Sequence, residues 1–169
     1  LGTEPCEVHW TPGLAGVGGS ISKYSKDVMT RHLVLTMGAE VYGAPGTDER
    51  GRAVIADWLK ANHINVPELT LVNGAGLSRD TRISAASMGV VLRHGWNSPY
   101  MPEFISSLPL SGMDGTLRRR FDDEPLVGQL HLKTGTMDHV SAIAGYATSR
   151  SGERYVVVDL HNENDIHRG

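Results

Sequence analysis

Two short stretches of this chain hold residues that can carry acyl-transfer chemistry. Lys133-Thr134-Gly135 stands within Leu130-His131-Leu132-Lys133-Thr134-Gly135-Thr136, and Ser25-Lys26-Asp27 lies 108 residues earlier. A serine hydroxyl beside a lysine can relay a proton to a leaving amine. Lys133 supplies fixed positive charge, which binds a carboxylate and biases the protonation of its neighbours. Gly135, following a cationic strand residue, lets a ligand or another backbone come close. An anionic, amide-bearing peptide can then lie along the sheet edge. Thr134 and Thr136 would face such a peptide, and the Thr136 N–H can complete an oxyanion hole. A literal Ser-x-x-Lys, the usual form of a lysine-activated serine, occurs as Ser20-Ile21-Ser22-Lys23. It shares a segment with Ser25, whereas a nucleophile and a proton relay must reach one substrate from different directions. It is therefore read as a decoy.

These residues need elements to hold them. Residues 22–37 read as a helix with Val28, Met29, Leu33, Leu35 and Met37 on its apolar side, which places Ser25 near the helix start. Residues 47–62 read as a second helix capped by Thr47 or Asp48, and 84–94 as a third, capped by Ser84 and ended by Gly95. At most a short helix falls within 99–110. Residues 69–72 are a short strand candidate, Asn73-Gly74-Ala75-Gly76 a turn, and Asp114-Gly115 a structural turn. Residues 1–20 read as an irregular entry rich in Gly and Pro; no Gly-Lys-Ser/Thr follows to make a phosphate loop. The last third changes character. Residues 129–135, 141–149 and 154–161 read as strands, with Arg150-Ser151-Gly152-Glu153 as a hairpin loop. Helices followed by an antiparallel meander predict an α/β (α+β) domain with helices packed on the sheet.

Composition narrows the function. The chain has 169 residues, enough for one domain or a large part of one, and 40% apolar residues can form a core. The net charge of −3 carries no electrostatic footprint for nucleic acid. Arg118-Arg119-Arg120 is the basic cluster, and Asp122, Asp123 and Glu124 offset it at once. Cys6 is the single cysteine, so the chain forms no internal disulfide. No stretch approaches the roughly 18 apolar residues of a membrane span. His161 and His167 are too isolated near the terminus to suggest a metal site.

The segment Ile21-Ser22-Lys23-Tyr24-Ser25-Lys26-Asp27-Val28-Met29-Thr30-Arg31-His32-Leu33 resembles the second active-site motif of the D-alanyl-D-alanine carboxypeptidase/endopeptidase family typified by penicillin-binding protein 4. Three further blocks resemble that family in the same order. They are Val72-Asn73-Gly74-Ala75-Gly76-Leu77-Ser78-Arg79; Ser107-Leu108-Pro109 through Gly115-Thr116-Leu117-Arg118; and His131 to Thr136, with Ala142-Ile143-Ala144-Gly145-Tyr146 behind it. The resemblance covers residues 11–164.

It implies part of a β-lactamase/transpeptidase-like fold and a serine-type D-Ala-D-Ala carboxypeptidase/endopeptidase. Its substrates would be peptidoglycan stem peptides, its inhibitors β-lactams, and its location the periplasm, with no metal or organic cofactor. It further implies that Ser25 and Lys133 are catalytic and that Asp27, Thr134, Gly135 and Thr136 bind substrate.

The family's nucleophile motif lies well before its second motif. Residues 1–169 are thus expected to be the C-terminal portion of the peptidase domain, inactive alone, and prone to self-association unless a companion N-terminal segment covers its apolar surface. The alternatives are a β-lactamase-like or esterase-like hydrolase, or a non-catalytic peptidoglycan-binding relative. Asp27 stands where the family usually has Asn. An ionised Asp only accepts hydrogen bonds, and it raises the pKa of a nearby lysine. A tolerated variant or a modest impairment is expected.

Overall fold

The three C-terminal strands form at nearly their expected positions. In a computed structural model describing residues 13–76, 78–121 and 125–163, β1 is Leu130–Met137, β2 Val140–Thr148 and β3 Arg154–Asn162. They make an antiparallel sheet of order β1-β2-β3. β1 runs two residues past Gly135, so Thr136 lies on the strand. A tight Asp138-His139 link then turns the chain, with His139 at φ 62°. Residues 69–72 do not form a strand; Thr70 makes one isolated bridge to Arg82.

Lys133 pairs with Ala144, His131 with Tyr146, and Tyr146 in turn with Val156. Paired residues share a face, so His131, Lys133, Ala144, Tyr146 and Val158 look to one side of the sheet. Helices cover that side. Tyr146, Leu92 and Leu108 are buried together, with Met88, Trp96, Phe104 and Ile105 packed around them. The Tyr146 hydroxyl donates to the Leu92 carbonyl at 2.6 Å, and burial pushes its pKa up to about 12. Gly145 is required by this packing: at φ 153°, an added Cβ would stand 2.1 Å from the His131 carbonyl oxygen.

The helices are α1 Leu14–Tyr24, α2 Asp27–Tyr42, α3 Asp48–Ala61, α4 Ala85–Trp96 and α5 Met101–Ser107. Thr47 and Ser84 cap α3 and α4 as expected, each accepting from the N–H three residues on. α4 serves two clusters. Met88, Leu92 and Trp96 face the sheet cluster, while Val90 and Val91 pack on Leu59, Ile64 and Val66. α2 packs on α3, and α1 on α5 and on the 3-10 turn Gly115–Leu117.

The first helix departs from the sequence reading. Residues 14–20, expected to be irregular, are already helical, and the expected single helix over 22–37 is broken in two. The break falls on Ser25, at φ 50° and ψ 56°, a left-handed conformation that ends α1. The Ser25 and Lys26 N–H groups both close on the Ile21 carbonyl. Ser25 therefore sits in an exposed elbow between helices, not at a helix start. The reading of residues 1–12, including Cys6, falls outside the described residues.

Candidate active site

The elbow brings Ser25 to the sheet. Lys133 Nζ donates to Ser25 Oγ at 2.5 Å and to the Thr134 carbonyl at 2.7 Å. The first contact joins the two predicted motifs. Its direction matters: an ammonium has only donors, so Ser25 accepts from Lys133 and its own O–H remains free to donate. Half-burial pulls the Lys133 pKa below the ordinary lysine value, and the Asp27 carboxylate works against that shift. Asp27 is the first residue of α2, two positions beyond Ser25. Both motifs therefore act on one ammonium group.

The strand edge beside Lys133 is open where it matters. Ser111 N–H donates to the Leu130 carbonyl at 2.9 Å, and Leu132 N–H to the Pro109 carbonyl at 3.0 Å. The even-numbered residues of β1 thus turn their backbone groups away from β2. Beyond Leu132, no described segment pairs with that edge. By the same alternation the N–H groups of Thr134 and Thr136 point outward there. Thr134 Oγ1 lies 3.1 Å from Thr116 Oγ1, and Thr136 and Gly135 are exposed. An added Cβ on Gly135 would meet only Ala142 Cβ, at an ordinary 3.5 Å. The protein's own packing therefore does not demand a glycine at 135. From Gly135 and Thr136 a cleft of about 960 Å³ continues past Met137 and His139 toward Arg79 and Arg82.

Two further residues, Lys23 and Asp114, brace the elbow. Lys23, the lysine of the literal Ser-x-x-Lys, is ion-paired with Asp114. Asp114 also accepts from the Leu110 N–H at 2.8 Å. Partial burial tends to raise the Asp114 pKa, but the Lys23 and Leu110 hydrogen bonds outweigh it and hold it below the ordinary value. Gly115, at φ 56°, lies so close to the end of α1 that a Cβ would stand 2.6 Å from the Lys23 carbonyl oxygen. The Asp114-Gly115 turn is structural, as expected, and its specific task is to pin the end of α1 beside β1. The adjoining Thr116 reaches Thr134. The signal was present in the block from Ser107 to Arg118, but spacing alone does not say which strand the turn touches.

Residues 14–168 match the family model described as the D-Ala-D-Ala carboxypeptidase 3 (S13) family. A D-alanyl-D-alanine carboxypeptidase of Actinomadura sp. (strain R39) is 30% identical over 150 residues, 86% of this chain and 28% of that protein. The carboxypeptidase DacB of Mycolicibacterium smegmatis is 29% identical over 157 residues, 89% of this chain and 34% of the relative. Penicillin binding protein 4 (dacB) from Haemophilus influenzae superposes with a TM-score of 0.83 at 24% identity, over 89% of this chain and 34% of that one. A penicillin-G-acylated predatory endopeptidase from Bdellovibrio bacteriovorus superposes with a TM-score of 0.68 at 19% identity, over 92% of this chain and 40% of that one. At these identities the structural likeness is one of fold. The chain spans about a third of the length of the relatives it matches.

Proposed function

Because the chain belongs to the D-Ala-D-Ala carboxypeptidase 3 (S13) family, we propose that it is part of a serine-type D-Ala-D-Ala carboxypeptidase/endopeptidase acting on peptidoglycan stem peptides and acylated by β-lactams. The observation that carries this reading is the Lys133–Ser25 hydrogen bond, which unites the two motifs at an open strand edge. A peptide laid along β1 would be held by the outward N–H groups of Thr134 and Thr136 and by the Thr134 and Thr136 hydroxyls. Lys133 would bind its terminal carboxylate.

In this reading a serine from a preceding segment attacks the amide carbon. The ester bond forms, the C–N bond breaks, and the serine proton passes by way of the Ser25 hydroxyl to the leaving amine. The Thr136 N–H stabilises the oxyanion on the way. Water then hydrolyses the ester and restores the serine. Two observations favour a nucleophile from another segment: Lys23 is committed to Asp114, and the chain covers only a third of its relatives. That segment would also cover Leu14, Tyr24 and Val28, which are exposed along α1 and the start of α2. Isolated, residues 1–169 would be inactive and would self-associate through this surface. A peptidoglycan substrate lies outside the cytoplasm, and this supports a periplasmic location.

Fluorescent penicillin labelling with mass spectrometry tests the proposal. A stable acyl adduct is expected on a longer chain that includes the preceding segment, and none on residues 1–169. An adduct within residues 1–169 would contradict the assignment of the nucleophile. No adduct on either would leave a binding module in place of an enzyme.

A further inference from the structure

Resting on the peptidase reading, we propose that Thr116 is a positioning residue for substrate binding. Its hydroxyl donates to Thr134 Oγ1, and so turns the Thr134 O–H onto the terminal carboxylate of the peptide.

Thr116 is held from both sides. Before it, Gly115 lies against the end of α1, where a Cβ would stand 2.6 Å from the Lys23 carbonyl oxygen. After it, Leu117 is fully buried, and its carbonyl accepts from the Gly112 N–H at 3.1 Å and the Arg120 N–H at 3.0 Å. Asp114, which precedes the turn, is ion-paired with Lys23 and accepts from the Leu110 N–H. Leu110 in turn bridges His131 on β1. The turn thus ties α1 to β1. Thr116, its exposed member, reaches the strand residue that follows Lys133, and the two hydroxyl oxygens stand 3.1 Å apart.

Donor count sets the direction of that bond once substrate arrives. Each hydroxyl has one proton to give. If Thr134 gave its proton to Thr116, it would turn only lone pairs to the substrate, and a carboxylate brings only acceptors of its own. With Thr116 as the donor, the Thr134 proton is free for the carboxylate. Lys133 does not fill this role alone. Two of its three protons go to Ser25 Oγ and the Thr134 carbonyl, and one remains. A carboxylate has two oxygens, and the remaining Lys133 proton and the Thr134 hydroxyl serve one each. The chain from Thr116 through Thr134 to the carboxylate is also cooperative, since each bond polarises the next.

The test uses the longer protein that includes the nucleophile segment, its Thr116→Val and Thr116→Ser variants, and Thr116→Val in a Thr134→Val background. Valine keeps the shape of threonine and removes the hydroxyl. With N-acyl-D-alanyl-D-alanine as substrate, Thr116→Val is expected to raise KM about fivefold, the scale of one net hydrogen bond, with kcat unchanged. Thr116→Ser should keep the parental KM. In the Thr134→Val background, Thr116→Val should raise KM no further, a dependence that a merely structural role would not show. Thermal unfolding of every variant controls for folding. An unchanged KM in Thr116→Val overturns the inference, as does a rise of the same size in the Thr134→Val background; either result leaves the peptidase reading intact. Should the parent neither turn over peptide nor take up a penicillin, the peptidase reading fails instead. Calorimetric titration with the same peptide then decides the inference. Thr116→Val should weaken binding about fivefold, and equal affinity in the parent and the variant overturns it.

Discussion

Lys133 Nζ donates a 2.5 Å hydrogen bond to Ser25 Oγ across 108 residues of chain. The direction of that bond leaves the serine O–H free to donate, as the proposed proton relay requires. Replacing Lys133 with Ala in the acylation-competent protein is expected to slow penicillin acylation by on the order of 10²-fold, the scale of a lost acid–base partner. Lys133→Arg should not restore the rate, because a planar guanidinium cannot take the place of a compact ammonium. Stopped-flow labelling measures both; full activity in Lys133→Ala would remove the lysine from the chemistry.

Ser25 occupies a left-handed conformation at φ 50°. For a residue with a Cβ this costs about 1 kcal/mol, and glycine escapes it. Ser25→Gly should therefore be about 1 kcal/mol more stable than Ser25→Ala in urea unfolding, and both are expected to lose penicillin acylation under the proposed relay role. Equal stabilities would mean that the elbow is not strained.

Two glycines on paired strands should respond oppositely to alanine. Gly145→Ala drives a Cβ to 2.1 Å from the His131 carbonyl, and overpacking of this kind costs about 1–3 kcal/mol. Gly135→Ala meets only Ala142 at 3.5 Å and should unfold at nearly the parental temperature. Its loss should appear in penicillin uptake instead. Thermal unfolding and acylation measured on both variants separate the effects.

Asp27 raises the Lys133 pKa against the larger, opposite effect of burial. Removing its charge lets the lysine give up its proton more readily. The alkaline limb of the acylation pH profile, where Lys133 becomes neutral, is expected to move to lower pH in Asp27→Asn. A limb that stays in place would show that Asp27 does not reach the lysine.

The Lys23–Asp114 pair, with side chains a quarter and a third exposed, should contribute about 1 kcal/mol, the upper end for accessible pairs. A double-mutant cycle with Lys23→Met and Asp114→Asn measures it. Because Asp114 is held below its ordinary carboxylate value of 3.8, the folded state binds its proton less readily than the unfolded state. The contribution is full above pH 3.8 and disappears as pH falls through the lower folded value. A coupling energy unchanged in strong acid would mean that charge is not its source.

The elements were largely legible because their signals are local. Ser84 and Thr47 mark helix starts by offering an oxygen to a nearby N–H, and the three strands show in β-branched and alternating residues between turn signals. The break at Ser25 was not legible. The stretch from Ile21 to Leu33 has continuous helical composition, and no glycine or proline marks the elbow. The strand expected at 69–72 failed for the complementary reason: its residues suit a strand, but among the described residues only Arg82 lies opposite to pair with it.

From the residues alone came the two motifs, the expectation that they cooperate, the oddity of a carboxylate at 27, and the rejection of Ser20-x-x-Lys23 as the nucleophile. These rest on side-chain chemistry and on the order of blocks along the chain, both carried in one dimension. The tertiary structure decided which atoms meet. It placed Lys133 on Ser25, committed Lys23 to Asp114, left the outer edge of β1 open at Thr134 and Thr136, and set Thr116 against Thr134. Such contacts join residues far apart in sequence, and they depend on the angle of one elbow and the alternation of one strand. Packing of the whole domain fixes both.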